Sequence, residues 1–113
     1  MGRTISVVIL VLLAVVSGLI SISVFFVDDP FPRDANVLIS TFGVGMAVLA
    51  AGIALGPFRR GERWATVLLL VWPVFFLVHI LAFGTWLPDG VFLVLSAIAL
   101  GLGSRARAAA PNR

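Results

Sequence analysis

The chain has 113 residues, of which 61% are hydrophobic and only 12% are charged. A soluble domain carries about 25% charged residues. A chain this short buries only part of its surface on folding, so a water-soluble fold could not hide this much apolar area. The composition therefore predicts a membrane protein and excludes an ordinary soluble domain.

The polar residues exclude further classes. The sequence has no cysteine, which excludes a disulfide framework, a thiolate metal site and thiol redox chemistry. The net charge of +3 comes from eight arginines without any lysine, a usage typical of a GC-rich bacterium. These arginines lie at the ends of apolar runs, where membrane topology explains them better than nucleic-acid binding. We therefore expect no nucleic-acid partner.

The first apolar segment covers residues 5–27 and contains 23 residues without a charge. At about 1.5 Å per residue it reaches roughly 34 Å, enough to cross a hydrocarbon core of about 30 Å. A cleaved signal peptide is the alternative, because Arg3 precedes the run. The run exceeds the usual apolar region of about 7 to 15 residues, and SISVFFVDDP has no small-x-small cleavage site. We therefore favour a transmembrane helix.

Two further apolar segments cover residues 36–56 and 64–84. The loop DDPFPRDAN precedes the second segment, and Gly56 with Pro57 is expected to end it. Pro73 lies inside the third segment. It should kink that helix, because it lacks an N–H and its ring clashes with the preceding turn, a defect that neighbouring helices accommodate in lipid.

The fourth segment covers residues 88–106. Pro88 and Asp89 favour the first turn of a helix. Arg105 and Arg107 follow the apolar part and can extend to the membrane surface. The four segments together predict an all-α polytopic membrane protein, with four transmembrane helices in an antiparallel bundle.

Charge is distributed unequally between the two sides of this predicted bundle. An excess of Lys and Arg in short loops marks the cytoplasmic face. We therefore predict a single domain over residues 1–113 in the inner membrane of a bacterium, with both termini cytoplasmic. The cytoplasmic side would hold Arg3, Arg59, Arg60, Arg63, Arg105, Arg107 and Arg113 against Glu62, and the outer side Asp28, Asp29, Asp34 and Asp89 against Arg33.

The turn GPFRRGERWA concentrates Arg59, Arg60 and Arg63 between two apolar segments. One interpretation is a topological anchor, which the unequal charge distribution by itself requires. The other is a site for anionic lipid headgroups or a partner protein, because each arginine near an acidic bilayer contributes about 1 kcal/mol. The two interpretations are compatible.

Small residues indicate which helices approach closely. The second segment has Gly43, Ala47 and Ala51 at four-residue spacing, and Gly52 and Gly56 form a GxxxG pair. Close backbone approach is a main source of helix association in lipid, so we expect the second helix to be the most enclosed. The alternative is ordinary glycine- and alanine-rich composition. The third segment is bulky and aromatic, and should face lipid or another subunit.

One ionisable side chain, His79, lies inside an apolar segment. Such a residue is a candidate functional site, and its count along the third helix places it in the outer half of the membrane. We predict a polar pocket there, opening toward acidic loops that could pair an Asp with the histidine. The alternative is a neutral histidine that joins two helices through one hydrogen bond. The pocket candidates are His79, Ser17, Ser21, Ser40, Thr41 and Ser96.

Enzyme signatures are missing from the sequence. One histidine without cysteine or an intramembrane acid cannot supply three or four metal ligands, so we expect no metal. No glycine-rich phosphate loop or nucleophile elbow occurs, and we expect no cofactor. Two functions stay open: a non-enzymatic accessory or structural component with a membrane-protein partner or in a homo-oligomer, and a binder or carrier of a small lipophilic ligand.

Residues 58–79, with the turn RRGERWA and a histidine in the third span, resemble bacterial four-span membrane proteins that are loosely DoxX-like. The resemblance covers about a fifth of the chain and implies a four-span fold without a defined activity or any site residue. Small multidrug resistance transporters have a similar size, but they use an acidic residue in the first span. VVILVLLAVVSGLISISVFF has none. The polar pore track of small fluoride channels is also not evident.

Overall fold

The computed structural model describes residues 1–27 and 31–109, so the predicted charges Asp28, Asp29 and Arg113 lie outside the described residues. The described chain is helical, with short connections. Its α-helices are α1 (Gly2–Phe25), α2 (Arg33–Ile53), α3 (Arg63–Leu69), α4 (Val71–Phe83) and α5 (Trp86–Ala108), and a π-helical turn (Ala54–Phe58) extends α2.

These elements form four helices that are long and apolar enough to cross a membrane, as predicted. They are span 1 (Gly2–Phe25), span 2 (Arg33–Phe58), span 3 (Arg63–Phe83) and span 4 (Trp86–Ala108). Large apolar side chains on all four are exposed, which suits contact with lipid rather than water. The chain therefore has the architecture of a multi-pass, all-helical membrane protein.

The second span does not end at Gly56 and Pro57, as the sequence predicts, but continues to Phe58. Pro57 lies inside the π-helical turn, where the backbone N–H of Arg59 donates to the carbonyl of Ala54 at 3.2 Å. An i to i−5 bond passes over the missing N–H of a proline, and the wider turn relieves the clash of its ring with the preceding carbonyl. The turn thus accommodates the proline without ending the span.

The interruption expected from Pro73 falls at Leu70, between α3 and α4. A proline ring clashes with the carbonyl four residues earlier, which is that of Leu69, the last residue of α3. In the fourth span, Leu87 has extended backbone angles and the Leu87–Pro88 peptide bond is cis. The regular part of α5 therefore begins at Pro88, where the sequence predicts it.

Span 1 is the central helix of the described chain. It packs against span 2 and along α5, while α4 packs against α5 and α3 contacts the π-helical turn. In the most apolar window of each helix, 33% of span 1 is buried but only 22% of span 2. The prediction that the second helix is the most enclosed is therefore wrong, because α5 packs along span 1 and not along span 2.

Some of the predicted small residues do mediate close packing. A Cβ atom at Gly43 would lie 2.8 Å from the Cβ of Ser21, and one at Gly18 would lie 3.4 Å from the Cβ of Ala47. At Gly52, in contrast, a Cβ atom would meet nothing within 4 Å. The GxxxG pair of span 2 therefore points away from the other helices, and the packing face of that helix runs through Gly43 and Ala47.

Spans 2 and 4 meet near the arginine-rich turn. The Phe58 ring, which is 3% exposed, lies against Gly103, where a Cβ atom would come within 2.3 Å of Phe58 Cζ. At the same end of the molecule, Arg107 Nη1 of α5 donates to Thr66 Oγ1 of α3 at 3.2 Å. We call this end of the molecule the basic end, and it holds Arg3, Arg59, Arg60, Arg63, Arg105 and Arg107.

Candidate functional site

The candidate site lies at the opposite end, where spans 3 and 4 meet. His79 Nδ1 is 3.0 Å from Asp89 Oδ2, and the hydroxyl of Thr85 donates to the same carboxylate oxygen. The side chain of Asp89 is 11% exposed and that of His79 is 41% exposed. The structure therefore pairs the intramembrane histidine with one of the acids considered from the sequence. We call His79, Thr85 and Asp89 the His–Asp site.

Local structure brings these three side chains together. Gly84 ends α4 in the left-handed conformation, with φ of 67°, and its N–H donates to the carbonyl of Ile80 at 2.8 Å. A glycine takes this conformation without a steric penalty and reverses the chain after a helix. Thr85 then follows directly, and Asp89 lies in the first turn of α5. The short connection thus returns the carboxylate to the last turn of α4.

Two aromatic rings flank the imidazole on the surface of α4. Phe75, one turn earlier, stacks on His79 with centroids 5.1 Å apart, and Phe83, one turn later, packs edge-on at 5.0 Å. Residues four positions apart share one face of a helix. Both phenylalanines are exposed, so His79 is a half-exposed polar group in a strip of otherwise apolar surface.

The arrangement defines what the site can do chemically. A histidine with one ring nitrogen held by a carboxylate has a fixed orientation, and presents its other nitrogen, Nε2, as a hydrogen-bonding group. The hydroxyl of Thr85 is bonded to Asp89 rather than to Nε2 of His79. These three residues therefore do not have the arrangement of a catalytic triad, in which the base bonds to both the nucleophile and the orienting acid. Among the described residues, no group of three His, Cys, Asp or Glu side chains could hold a metal ion.

The structure does not bring the other predicted pocket residues to His79. Ser40 donates to the carbonyl of Ser21, Thr41 to that of Val37, and Ser96 to that of Leu93. The Oγ of Ser17 is buried without a hydrogen-bond partner in the described part of the chain. These hydroxyls bond mainly to backbone within or between helices. The six candidates therefore do not form one polar pocket, because the hydroxyls of Ser40, Thr41 and Ser96 are bonded to backbone carbonyls of spans 1, 2 and 4.

Ser40 and Thr41 do line a cavity of about 310 Å³ between spans 1 and 2, at the end of the molecule opposite the basic end. Their hydroxyl hydrogens are already donated to backbone carbonyls. The other walls are apolar, and consist of Ile22, Phe25, Phe26 and Val44. The cavity is therefore an apolar groove rather than the polar pocket that the sequence predicts.

The three arginines of the predicted anchor have different surroundings. Arg60 Nη2 lies 2.7 Å from Glu62 Oε1, and the indole N–H of Trp64 donates to the other oxygen of that carboxylate. The hydrogen bonds from Arg60 and Trp64 hold the pKa of Glu62 below its ordinary value. Arg59 and Arg63 are exposed. The charge of Arg60 is therefore compensated locally.

Two polar residues at the end opposite the basic end were not foreseen. Thr85 looked like an ordinary loop residue, although a hydroxyl four positions before Asp89 was a usable signal. Asn36 is fully buried, and its Nδ2 donates to the carbonyls of Val27 at 2.9 Å and Phe31 at 3.1 Å. It joins the end of span 1 to the start of span 2. An asparagine near a helix start resembles a simple cap, which concealed this role.

No protein family, no curated protein and no solved structure matches this chain. The resemblance to DoxX-like four-span proteins therefore stays a prediction based on the turn RRGERWA and His79.

Proposed function

We propose that the chain is an antiparallel four-helix protein of a bacterial inner membrane, with both termini cytoplasmic. The charge pattern supports this orientation, because the basic end carries six described arginines against Glu62. The other end carries Asp34 and Asp89 against Arg33. Lys and Arg in short loops and at termini are retained on the cytoplasmic side.

The sequence has no cysteine, so single substitutions report orientation directly. In intact cells Asp34→Cys should react with a membrane-impermeant maleimide, whereas Arg60→Cys should react only after permeabilisation. Both positions are exposed in the structure, so a lack of labelling would not result from burial of the cysteine. Labelling of Arg60→Cys from outside would overturn the orientation.

We further propose a non-enzymatic role as an accessory component that binds another membrane protein through α4. The observation that carries this proposal is the half-exposed imidazole of His79 on a lipid-facing strip. A hydrogen-bonding group at the edge of hydrocarbon is stabilised when a neighbouring helix supplies a partner. Beside it, Val78 is 56% and Leu81 is 76% exposed. This surface suits a partner helix that has a polar side chain level with Nε2.

The test is site-specific photo-crosslinking in native membranes. A benzophenone amino acid at Val78 should give a discrete adduct, and His79→Leu in the same chain should abolish it. The matched control is the same probe at Val48 on span 2, which is 66% exposed and distant from the His–Asp site. Equal adducts from both positions, or no adduct from Val78, would refute the proposal. An adduct of twice the chain mass would assign the surface to self-association instead.

The cavity lined by Ser40 and Thr41 supports a second candidate function, the binding of a small lipophilic ligand. Its volume of about 310 Å³ lies at the lower end of the range for ligand pockets, which is roughly 300 to 1,000 Å³. Val44→Trp should fill the cavity and remove any ligand that copurifies and is detected by mass spectrometry. His79→Ala should leave such a ligand in place, because His79 does not line this cavity.

A further inference from the structure

A second cavity, of about 370 Å³, lies at the basic end between the start of span 1 and the arginine-rich turn. Arg3, Thr4, Val7, Val8 and Arg59 line it. The cavity thus combines a guanidinium group from span 1 and one from the arginine-rich turn with a hydroxyl and an apolar wall. These lining residues are the same whichever way the protein is oriented in the membrane.

The position of Arg3 is fixed by the turn that it faces. A Cβ atom at Gly61 would lie 3.0 Å from Arg3 Nη2 and 3.1 Å from Arg3 Cζ, so the guanidinium lies against the bare backbone of this glycine. Gly61 also has φ of 82°, a conformation that other residues rarely adopt. The turn therefore holds Arg3 beside the cavity instead of leaving it extended into solvent.

No described residue compensates the positive charge of this cavity. In the described part of the chain no carboxylate lies within ion-pairing distance of Arg3 or Arg59, whereas Arg60 is paired with Glu62. Guanidinium groups bind phosphate oxygens through two parallel hydrogen bonds, whereas the ammonium group of lysine acts only as a point charge. The two arginines together therefore suit a phosphate group.

The apolar wall indicates which kind of phosphate compound fits. Val7 is buried, and Val8, which is 52% exposed, continues from the cavity onto the lipid-facing surface of span 1. We propose that this cavity binds an anionic phospholipid, with the phosphate between Arg3 and Arg59 and an acyl chain along Val8. A free phosphate ion would use the arginines but not the valines.

The test measures phospholipid binding to the purified full chain in detergent by native mass spectrometry. Phosphatidylglycerol should bind, and phosphatidylcholine should bind at least about five-fold more weakly. Arg3→Gln and Arg59→Gln should each weaken phosphatidylglycerol binding about five-fold, the contribution expected of one arginine near an anionic lipid. The matched control is Arg60→Gln, which changes the net charge equally but removes an arginine that Glu62 already compensates. It should weaken binding less than two-fold.

Equal weakening by Arg60→Gln and Arg3→Gln would overturn the proposal in favour of diffuse attraction. Displacement of phosphatidylglycerol by an equal concentration of inorganic phosphate would overturn the proposal in favour of a free-anion site. A Gly61→Ala variant keeps every arginine, but its methyl would meet the guanidinium of Arg3 and its φ would strain the turn that carries Arg59, so it should also weaken binding. If Arg3→Gln lowers the melting temperature of the lipid-free protein, lipid binding to Gly61→Ala is the deciding measurement. Unchanged binding to Gly61→Ala would refute the proposed geometry.

Discussion

At the basic end, spans 2 and 4 meet through an aromatic ring, Phe58, that lies against the bare backbone of Gly103. At the other end, contacts depend on polar groups: the His79–Asp89 pair joins spans 3 and 4, and Ser40 bonds to the backbone of span 1. Close packing and interhelical hydrogen bonds are the two forces that associate helices in lipid. The Phe58–Gly103 contact uses close packing, and the His79–Asp89 and Ser40–Ser21 contacts use hydrogen bonds.

The difference explains how each end responds to change. A ring against a glycine tolerates no added atom, because interiors are close-packed and have little room to relax. A hydrogen-bonded pair tolerates changes of shape better but depends on both partners. Substitutions at the basic end should therefore act through volume, and those at the other end through lost hydrogen bonds.

The largest effect is expected for Gly103→Ala. The new methyl would lie 2.3 Å from Phe58 Cζ, so the ring or the helix must move, at a cost of about 1 to 3 kcal/mol of unfolding free energy. Gly101→Ala is the matched control, because a Cβ atom there meets nothing within 4 Å. Thermal unfolding in detergent compares the two. Equal melting temperatures would show that Phe58 does not depend on the absence of a side chain at Gly103.

A smaller effect is expected for His79→Ala and Asp89→Ala, about 1 kcal/mol each, since each removes one side of an interhelical hydrogen bond. The double variant should lose less than the sum of the two single losses, because the shared bond is lost only once. Equilibrium unfolding in mixed micelles measures all three variants. Strict additivity would mean that the pair does not couple spans 3 and 4.

The smallest effect concerns Glu62, whose pKa the hydrogen bonds from Arg60 and Trp64 lower. A carboxyl with a lowered folded-state pKa adds stability above its unfolded pKa and loses that contribution as pH falls through the folded pKa. The indole N–H signal of Trp64 should therefore titrate in NMR with a midpoint below that of a free glutamate. Arg60→Gln should raise the midpoint. An unchanged midpoint in this variant would remove Arg60 as a cause.

How far the sequence predicts the fold differs between local and tertiary features. Span lengths follow from uninterrupted apolar runs, and the interruption before Pro73 follows from proline chemistry, so both were predictable. Which face of a helix is enclosed depends on where the neighbouring helices lie. Gly52 belongs to the helix expected to be most enclosed, yet it is exposed. The third segment was expected to face lipid or another subunit, yet its Leu69 is 1% exposed.

The candidate site shows the same limit. Its histidine was identified because an ionisable side chain inside an apolar run is conspicuous. Its partner was left open among the aspartates of the acidic loops, since depth along a helix does not determine how the following loop returns. The conformation of Gly84 makes that choice by directing Thr85 and Asp89 back toward His79.

The π-helical turn at Ala54–Phe58 has a consequence for how this chain can change in length. A π-helical turn contains one residue more than the α-helical turn it replaces. Each residue of an α-helix turns the chain by about 100°, because 3.6 residues complete one turn. Deleting Leu55 would remove the extra residue and let the segment close into ordinary α-helix, so Phe58 should still face Gly103. A single-residue deletion here therefore shortens span 2 without rotating the arginine-rich turn, whereas the same deletion in the regular part of α2 would rotate that turn by about 100° about the helix axis.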